Sequence, residues 1–102
     1  SVSKNNILVA DLAKILKQNG IEIGQNRLFQ WLRTNGYLGN FKSYYNKPTQ
    51  RSMDLKLFVI KETVVTHSDG MSSISITPKV TPKGQVYFVN KFLEENNQEK
   101  SA

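Results

Sequence analysis

The sequence has no cysteine, one histidine and three prolines among its 102 residues. The lack of cysteine excludes disulfides and thiolate metal sites and fits a cytosolic protein, and the single His67 gives no metal-ligand spacing. No apolar run approaches the roughly 20 residues that a bilayer-spanning helix needs, so no membrane partner is expected. The apolar share of 38% suits one soluble domain with a modest core.

Catalytic arrangements are also missing from the sequence. His67-Ser68-Asp69 contains the residue types of a catalytic triad, but consecutive residues in a tight turn point apart, whereas a triad needs a line of hydrogen bonds. The acids are scattered without paired spacing, and no glycine-rich loop suited to phosphate is present. We therefore expect neither enzyme activity nor a metal or cofactor.

Acidic residues are absent from Gln25 through Met53, and basic residues concentrate around this stretch. The segment from Gly24 to Lys61 holds seven lysines and arginines against Asp54 alone, an excess equal to the net charge of +6 of the whole chain. A basic block of this kind predicts a surface that faces a polyanion. The alternative is a solvated basic face that only keeps the protein in solution.

Two helices separated by a short turn are predicted near the start of the chain. The first spans about residues 9–19 and the second about 25–35, and each carries apolar residues at the spacing of an amphipathic helix. Each is followed by a glycine, Gly20 or Gly36, at the position where helices commonly end. Trp31 belongs to the apolar stripe of the second helix, so we expect it in the core.

The outer face of the second helix carries side chains suited to DNA bases. Asparagine, glutamine and arginine have donors and acceptors that match base edges in the major groove. A helix-turn-helix places its second helix in that groove. The residues of this helix that we expect to contact DNA are Gln25, Asn26, Arg27, Gln30, Arg33 and Thr34. An ordinary helix pair with a solvent-facing polar surface is the alternative.

An irregular basic loop follows the second helix. Its cations are expected to contact phosphates, which position a protein on DNA without reading sequence. The residues with this expected role are Lys42, Lys47 and Arg51. Among the interleaved aromatic residues, Tyr37 and Phe41 are predicted at the edge of the core, whereas the roles of Tyr44 and Tyr45 stay open.

A β-hairpin is predicted after this loop. Residues from about 57 to 66 are rich in strand-forming types, residues 73–80 alternate between apolar and polar, and Ser68-Asp69-Gly70 is a turn signal. The alternation predicts one face in water. The first strand has apolar residues on both sides, which either the last helix and the helix pair cover or a second copy covers. We favour the first arrangement and leave self-association open.

A last helix is predicted to start at Pro82, with Thr81 as its N-cap, and to run to about Leu93. The polar residues 94–102 are predicted to form a flexible tail. The predicted fold is an α+β, winged helix-turn-helix-like domain over residues 7–93, with two N-terminal helices, a β-hairpin wing and a C-terminal helix.

Several segments of the chain form an ordered set of motifs. They are Asp11–Ile21, Leu28–Leu38, Asn46–Gln50, Ile60–Thr63, Thr77–Thr81 and Lys83–Gln85. This set resembles the C-terminal domain of phage antirepressor proteins, the KilAC family, over roughly residues 7–93. Several motifs in one order are more specific than any single motif. Lys56 departs from the pattern, because the family is expected to have glycine there.

The resemblance implies a phage or prophage protein in the cytoplasm of a bacterial host. The family domain is regarded as DNA-binding, and it usually follows a separate N-terminal domain in proteins that oppose a phage repressor and favour lytic genes. We therefore expect this domain to bind double-stranded DNA in the lysis/lysogeny switch. The alternative is a protein–protein module that binds a phage repressor, or self-associates, without contacting DNA.

Overall fold

The computed structural model describes residues 2–99 in full and continues the backbone of the last helix to Ser101. The elements are β1 (Ile7–Leu8), α1 (Val9–Gln18), α2 (Gln25–Thr34), a 3-10 turn (Lys42–Tyr44), α3 (Gln50–Asp54), β2 (Phe58–Thr66), β3 (Ser72–Val80) and α4 (Pro82–Ser101). The strands form an antiparallel sheet in the order β1-β3-β2. This α+β arrangement, with a helix pair, a hairpin and a C-terminal helix, confirms the predicted fold class.

Helices α1 and α2 end in the same way, at an asparagine followed by a glycine. The side-chain amides of Asn19 and Asn35 donate to the carbonyl four residues earlier, at 2.8 and 2.9 Å. The backbone N–H groups of Ile21 and Tyr37 then bond back to the last turn of each helix, both at 2.9 Å. These bonds satisfy carbonyls that a helix end would otherwise leave without partners. The chain therefore leaves both helices in a fixed direction.

The core lies between α1, α2, α4 and the base of the hairpin. Its least exposed apolar side chains, each at 1% or less, are Leu12, Leu16, Leu28, Leu32, Tyr37, Leu38, Leu57, Phe58, Val80 and Phe88. Trp31 packs against this core as predicted, with its ring stacked 5.6 Å from Tyr37 and tilted 4.4 Å from Phe92. Burying one such side chain contributes about 1.5–3 kcal/mol. The buried stripe of α2 therefore fixes which side of that helix faces solvent.

The segment between α2 and α3 protrudes from the core as a closed loop. Leu38 pairs with Pro48 and Gly39 pairs with Tyr45 in isolated backbone bridges, so the residues between them turn outward. Tyr37 is buried as predicted, but Phe41 is 63% exposed. The prediction that Phe41 lies at the edge of the core is wrong because the chain has already left the core at Gly39.

The hairpin projects into solvent, and both of its faces are wet over most of its length. Every residue of β2 after Phe58 is exposed, and β3 becomes buried only near Pro78 and Val80. The prediction of a single wet face, with helices covering the apolar sides of the first strand, is therefore wrong for the outer hairpin. Each strand has nine residues and so extends about 30 Å, whereas the core contacts only its base.

Helix α4 begins as predicted and runs further than predicted. The Thr81 hydroxyl oxygen caps it by accepting a backbone N–H at 2.9 Å. The helix continues past the predicted end at Leu93 to Ser101, because residues 94–101 contain neither glycine nor proline. The flexibility of this polar segment stays a prediction, and Ala102 lies outside the described residues.

Residues before the predicted domain start at residue 7 also join the fold. The Gln85 side chain is fully buried and accepts the Ser3 N–H at 2.6 Å while donating to the Asn5 carbonyl at 2.8 Å. Strand β1 then pairs with the end of β3. None of the helices in the described part of the chain has the length and apolarity needed to span a bilayer.

Lys56, where the resemblance led us to expect glycine, has a left-handed backbone with a φ of 60°. A residue with a Cβ costs about 1–2 kcal/mol in this conformation, whereas glycine adopts it without strain. We therefore expect Lys56→Gly to raise the free energy of unfolding by about 1 kcal/mol, after the larger unfolded-state entropy of glycine is subtracted. Chemical denaturation measures this change.

The control is Lys17→Gly, which removes an equal charge from an exposed helical position. It should lower the free energy of unfolding by about 1 kcal/mol. Equal destabilisation by both substitutions would contradict the strain at Lys56.

Candidate nucleic-acid interface

The outward side of α2 carries the predicted base-contacting residues because its opposite side is buried. Leu28 and Leu32 are fully buried, and side chains on the other side of a helix then face solvent. Arg33 is half-buried. The other predicted residues of this helix, all exposed, are Gln25, Asn26, Arg27, Gln30 and Thr34. Helix α2 thus places this whole predicted set on its accessible surface.

Two open clefts flank this surface. The first, of about 310 Å³, lies between α2 and the protruding loop and is lined by Gln25, Asn26, Phe29, Arg33, Tyr45 and Asn46. The second, of about 240 Å³, is lined by Ile23, Arg27, Gln30, Trp31, Thr34 and Asn35. Helix α2 is therefore a ridge with polar side chains on both flanks. A single helix of this kind fits the width of the DNA major groove.

Arg33 turns toward the protruding loop. Its Nη1 donates to Asn46 Oδ1 at 2.7 Å, and its guanidinium carbon lies 4.7 Å from the centre of the Tyr45 ring. Asn46 was not among the predicted site residues and the role of Tyr45 stayed open, because a contact across 13 residues has no periodic signal. The two residues complete the first cleft opposite α2.

Arg51 lies against the C-terminal end of α2. Its guanidinium donates to the Asn35 carbonyl at 3.0 Å and to the Tyr37 hydroxyl at 3.3 Å, and its Cζ is 4.5 Å from the centre of the Tyr37 ring. A cation at this end of a helix is favourable because of the helix dipole. Arg51 therefore has a structural role that the sequence did not indicate, and its phosphate contact stays a prediction.

The Tyr37 hydroxyl that accepts from Arg51 carries no negative charge at neutral pH. Burial, followed by the hydrogen bond of 2.7 Å to Tyr87, raises the pKa of Tyr37 to about 12, although Arg51 lowers it. The Tyr37 hydroxyl is therefore protonated and uncharged near neutral pH. Tyr37 therefore places no negative charge beside Arg51.

The two predicted lysines lie on the protruding loop. Lys42 is exposed, with its ammonium 4.9 Å from the centre of the Phe41 ring. Lys47 is half-buried, and its backbone bonds to Gly39 and Tyr44 at 2.8 and 3.0 Å. Phe41, Tyr44 and Tyr45 of the same loop are also exposed. The loop therefore presents charge and aromatic surface beside the first cleft.

The cations of α2 and the loop have no carboxylate partners within the described residues. In that part of the chain, the ion pair within 4.0 Å joins Lys14 and Asp11 on α1. An arginine or lysine that is not paired keeps its charge and donors for phosphate oxygens. A salt-bridged, merely solvated helix surface would have acids interspersed, and this surface has none from residue 25 to 53.

Two further lysines, which were not among the predicted site residues, border the N-terminus of α2. Lys14 and Lys17 line a third cleft of about 270 Å³ together with Gly24 and Gln25. Their spacing of three residues on the polar side of α1, just before the turn, was the available signal. Lys17 adds positive charge to the side of the helix pair from which α2 begins, whereas the charge of Lys14 is paired with Asp11.

The fold and the surface together define a helix-turn-helix domain with an appended β-hairpin. The chain belongs to the phage antirepressor protein KilAC domain family, whose model matches residues 1–95. This match confirms the resemblance seen in the motifs, while the roles of the individual site residues stay predictions.

Two curated relatives come from the same virus. The chain is 39% identical over 88 residues to protein kilA of Escherichia phage P1, an overlap of 86% of this chain and 31% of that protein. It is 36% identical over 74 residues to antirepressor protein 1 of the same phage, an overlap of 72% of this chain and 21% of that protein. The chain thus matches less than a third of the length of these relatives. No solved structure matches it significantly.

Proposed function

We propose that this domain binds double-stranded DNA with the ridge of α2 in the major groove. The residues that contact base edges are Gln25, Asn26, Arg27, Gln30, Arg33 and Thr34. The residues that hold phosphates are Lys42, Lys47 and Arg51. Phosphate contacts set the register of the helix in the groove, and base contacts supply sequence preference.

One observation carries this proposal. The exposed side of α2 and the adjoining loop concentrate arginine, lysine and amide side chains, and none of the cations has a carboxylate partner in the described part of the chain. The amides and arginines are the side chains that pair bidentately with adenine and guanine. A surface built only for solubility has no need of amides on both flanks of one helix.

The role of the complete protein is a further part of the proposal. One relative is named antirepressor protein 1, and the family is that of phage antirepressors. We infer that the protein opposes a phage repressor in the cytoplasm of a bacterial host and so favours lytic development. The domain described here supplies the DNA contact in that switch.

Salt-dependent binding tests the proposal directly. Fluorescence anisotropy of a labelled random duplex is measured against the domain at several salt concentrations. Each phosphate neutralised contributes about −0.9 to the slope of log K against log salt, so with three such contacts we expect a slope of about −3 or steeper. The absence of binding even at low salt would contradict the proposal for the isolated domain.

A second candidate function, a protein–protein module, is favoured by the projecting hairpin. Ile60, Val64 and Ile74 are 41–69% exposed on one face of the sheet, and Val64 lies opposite Ile74 in the register. Exposed apolar side chains that lie together often mark contact surfaces. Phe88 and Phe92 of the last helix do not extend this surface, because both are buried.

Val64→Thr with Ile74→Thr tests this surface without changing charge. If the hairpin mediates self-association, sedimentation equilibrium should show a wild-type dimer and a monomeric variant. The matched control is Val59→Thr with Val65→Thr on the opposite face of β2. A wild-type monomer at all concentrations, or equal weakening by the control pair, would contradict self-association through this face. DNA affinity should be unaffected by either pair.

A further inference from the structure

The first cleft beside α2 contains an arginine whose side chain is held on two sides. Asn46 accepts a hydrogen bond from Arg33 at 2.7 Å, and the Tyr45 ring covers the guanidinium at 4.7 Å. The lining of this cleft also includes the amides of Gln25 and Asn26. Both restraints on Arg33 come from outside α2, so the helix alone does not determine where this guanidinium points.

The loop that supplies these restraints is closed by its own backbone. The Gly39 N–H donates to the Lys47 carbonyl, and the Asn46 N–H donates to the Gly39 carbonyl, both at 2.8 Å. A Cβ at Gly39 would overlap the carbonyl oxygen of Tyr44, so only glycine allows the loop to close in this form. The backbone of the loop is thus held in one conformation, which fixes the positions of Tyr45 and Asn46.

Asn46 suits its position for two separate reasons. Its backbone is left-handed, with a φ of 58°, and asparagine tolerates this conformation better than most residues with a Cβ. Its amide oxygen is also the group that accepts from Arg33. The backbone requirement and the side-chain contact together select asparagine at this one position.

The restrained guanidinium still has free hydrogen-bond donors. A guanidinium has five N–H donors in one plane, and within the described residues Asn46 is the acceptor for Arg33. The remaining donors suit bidentate contact with the O6 and N7 atoms of guanine, the commonest specific contact in the major groove. Fixing the side chain beforehand reduces the conformational freedom that it loses on binding.

We propose that Asn46 and Tyr45 are positioning residues that aim Arg33 at a guanine in the major groove, so that the protruding loop sets a base preference of α2. This proposal rests on the DNA binding proposed above. It assigns a specificity role to two residues that need not contact DNA themselves.

The test compares base preference with overall affinity. The preferred duplex of the wild-type domain is first selected from a random pool, and each guanine is then replaced in turn. Asn46→Gly is compatible with the left-handed backbone and removes the side chain that accepts from Arg33. We expect it to reduce the preference for one guanine about tenfold, which is within the range for a lost bidentate contact. Binding to a random duplex should change less than about twofold and keep its salt slope, because no cation is lost.

A double-mutant cycle separates positioning from a general structural effect. In the Arg33→Ala background, Asn46→Gly should have no further effect on the preference. Tyr45→Ala should act like Asn46→Gly, whereas Tyr45→Phe, which retains the ring, should behave like the wild type. Thermal unfolding of each variant verifies that the fold is intact.

The outcomes distinguish the two proposals. The positioning role alone would be overturned if the wild-type domain bound a random duplex but showed no preference for guanine. It would also be overturned if the wild type had such a preference and both Asn46→Gly and Tyr45→Ala left it unchanged. An Asn46→Gly effect that persists in full without Arg33 would do the same. A wild-type domain that binds no duplex at low salt would overturn both proposals.

Discussion

Replacing Arg27 and Arg33 by alanine is expected to weaken binding to a random duplex roughly 60-fold at 0.1 M salt. A random duplex offers no specific base contacts, so on it both arginines are expected to neutralise phosphates instead. Each phosphate neutralised contributes about 0.9 to the slope of log K against log salt, so two lost cations flatten the slope by roughly 1.8. The two proteins are expected to bind equally at 1 M salt, where the electrostatic contribution vanishes. At 0.1 M salt, one log unit lower, a slope that is flatter by 1.8 therefore means an affinity lower by roughly 60-fold. Anisotropy titrations of both proteins over a range of salt concentrations measure both quantities.

The structure indicates that this variant should lose DNA affinity without losing its fold. Arg27 is exposed and lines the second cleft, and among the described residues the Arg33 side chain contacts Asn46 and Tyr45 of the protruding loop. Neither side chain belongs to the core, so the free energy of unfolding should change by less than about 1 kcal/mol. Thermal unfolding should therefore separate loss of DNA binding from loss of folding.

The matched control removes the same charge from another part of the surface. Lys4→Ala with Lys83→Ala deletes two exposed cations that line none of the three clefts. This pair should leave the salt slope nearly unchanged. Equal weakening by the two pairs would show that binding depends on net charge alone, and the assignment of α2 to the groove would then fail.

Replacing Gly84 by alanine is expected to lower the free energy of unfolding by about 3 kcal/mol, at the upper end of the range for overpacking. The added Cβ would overlap the carbonyl oxygen of Leu57 and lie 3.0 Å from Cγ1 of Val80. The Leu57 carbonyl also accepts the Thr81 N–H at 3.0 Å. Because this obstacle is backbone, relief requires α4 to move away from the base of the hairpin.

Thermal or chemical denaturation measures this loss. For a domain of this size each kcal/mol corresponds to about 4–8 °C in the melting temperature, so a decrease of about 15 °C is expected. The higher helix propensity of alanine opposes the loss by only about 1 kcal/mol. Gly24→Ala is the control, since nothing lies within 4 Å of a Cβ there, and it should cost no more than about 1 kcal/mol. A stable Gly84→Ala protein would mean that α4 and the hairpin can separate freely.

These and similar contacts give structural roles to two of the motifs on which the resemblance to the family rests. In Lys83-Gly84-Gln85, the glycine permits close packing and the buried glutamine ties residues 3 and 5 to α4. In Asn46–Gln50, Thr49 caps α3 by accepting the Ser52 N–H at 3.3 Å and donates to the Gly36 carbonyl at 2.8 Å. Residues in these motifs therefore serve packing and loop closure, in addition to the proposed DNA contact.

The sequence by itself determined the elements of this protein, because their signals are local. Apolar spacing, the glycines after Asn19 and Asn35, and the Thr81-Pro82 helix start each act within a few residues, and α1, α2, β2, β3 and the start of α4 follow them. The polar side of α2 was also determined locally, because burial of Leu28 and Leu32 fixes the opposite face.

Only the tertiary structure decided which elements cover one another and where long side chains reach. The sequence pattern indicated that β2 has apolar residues on both sides, but it did not indicate that the core ends at the base of the hairpin. It identified Arg33 and Arg51 as cations, but not that Asn46 holds one and the end of α2 holds the other. Such contacts join residues 13 and 16 positions apart, and their geometry depends on how loops close in three dimensions rather than on any repeat along the chain.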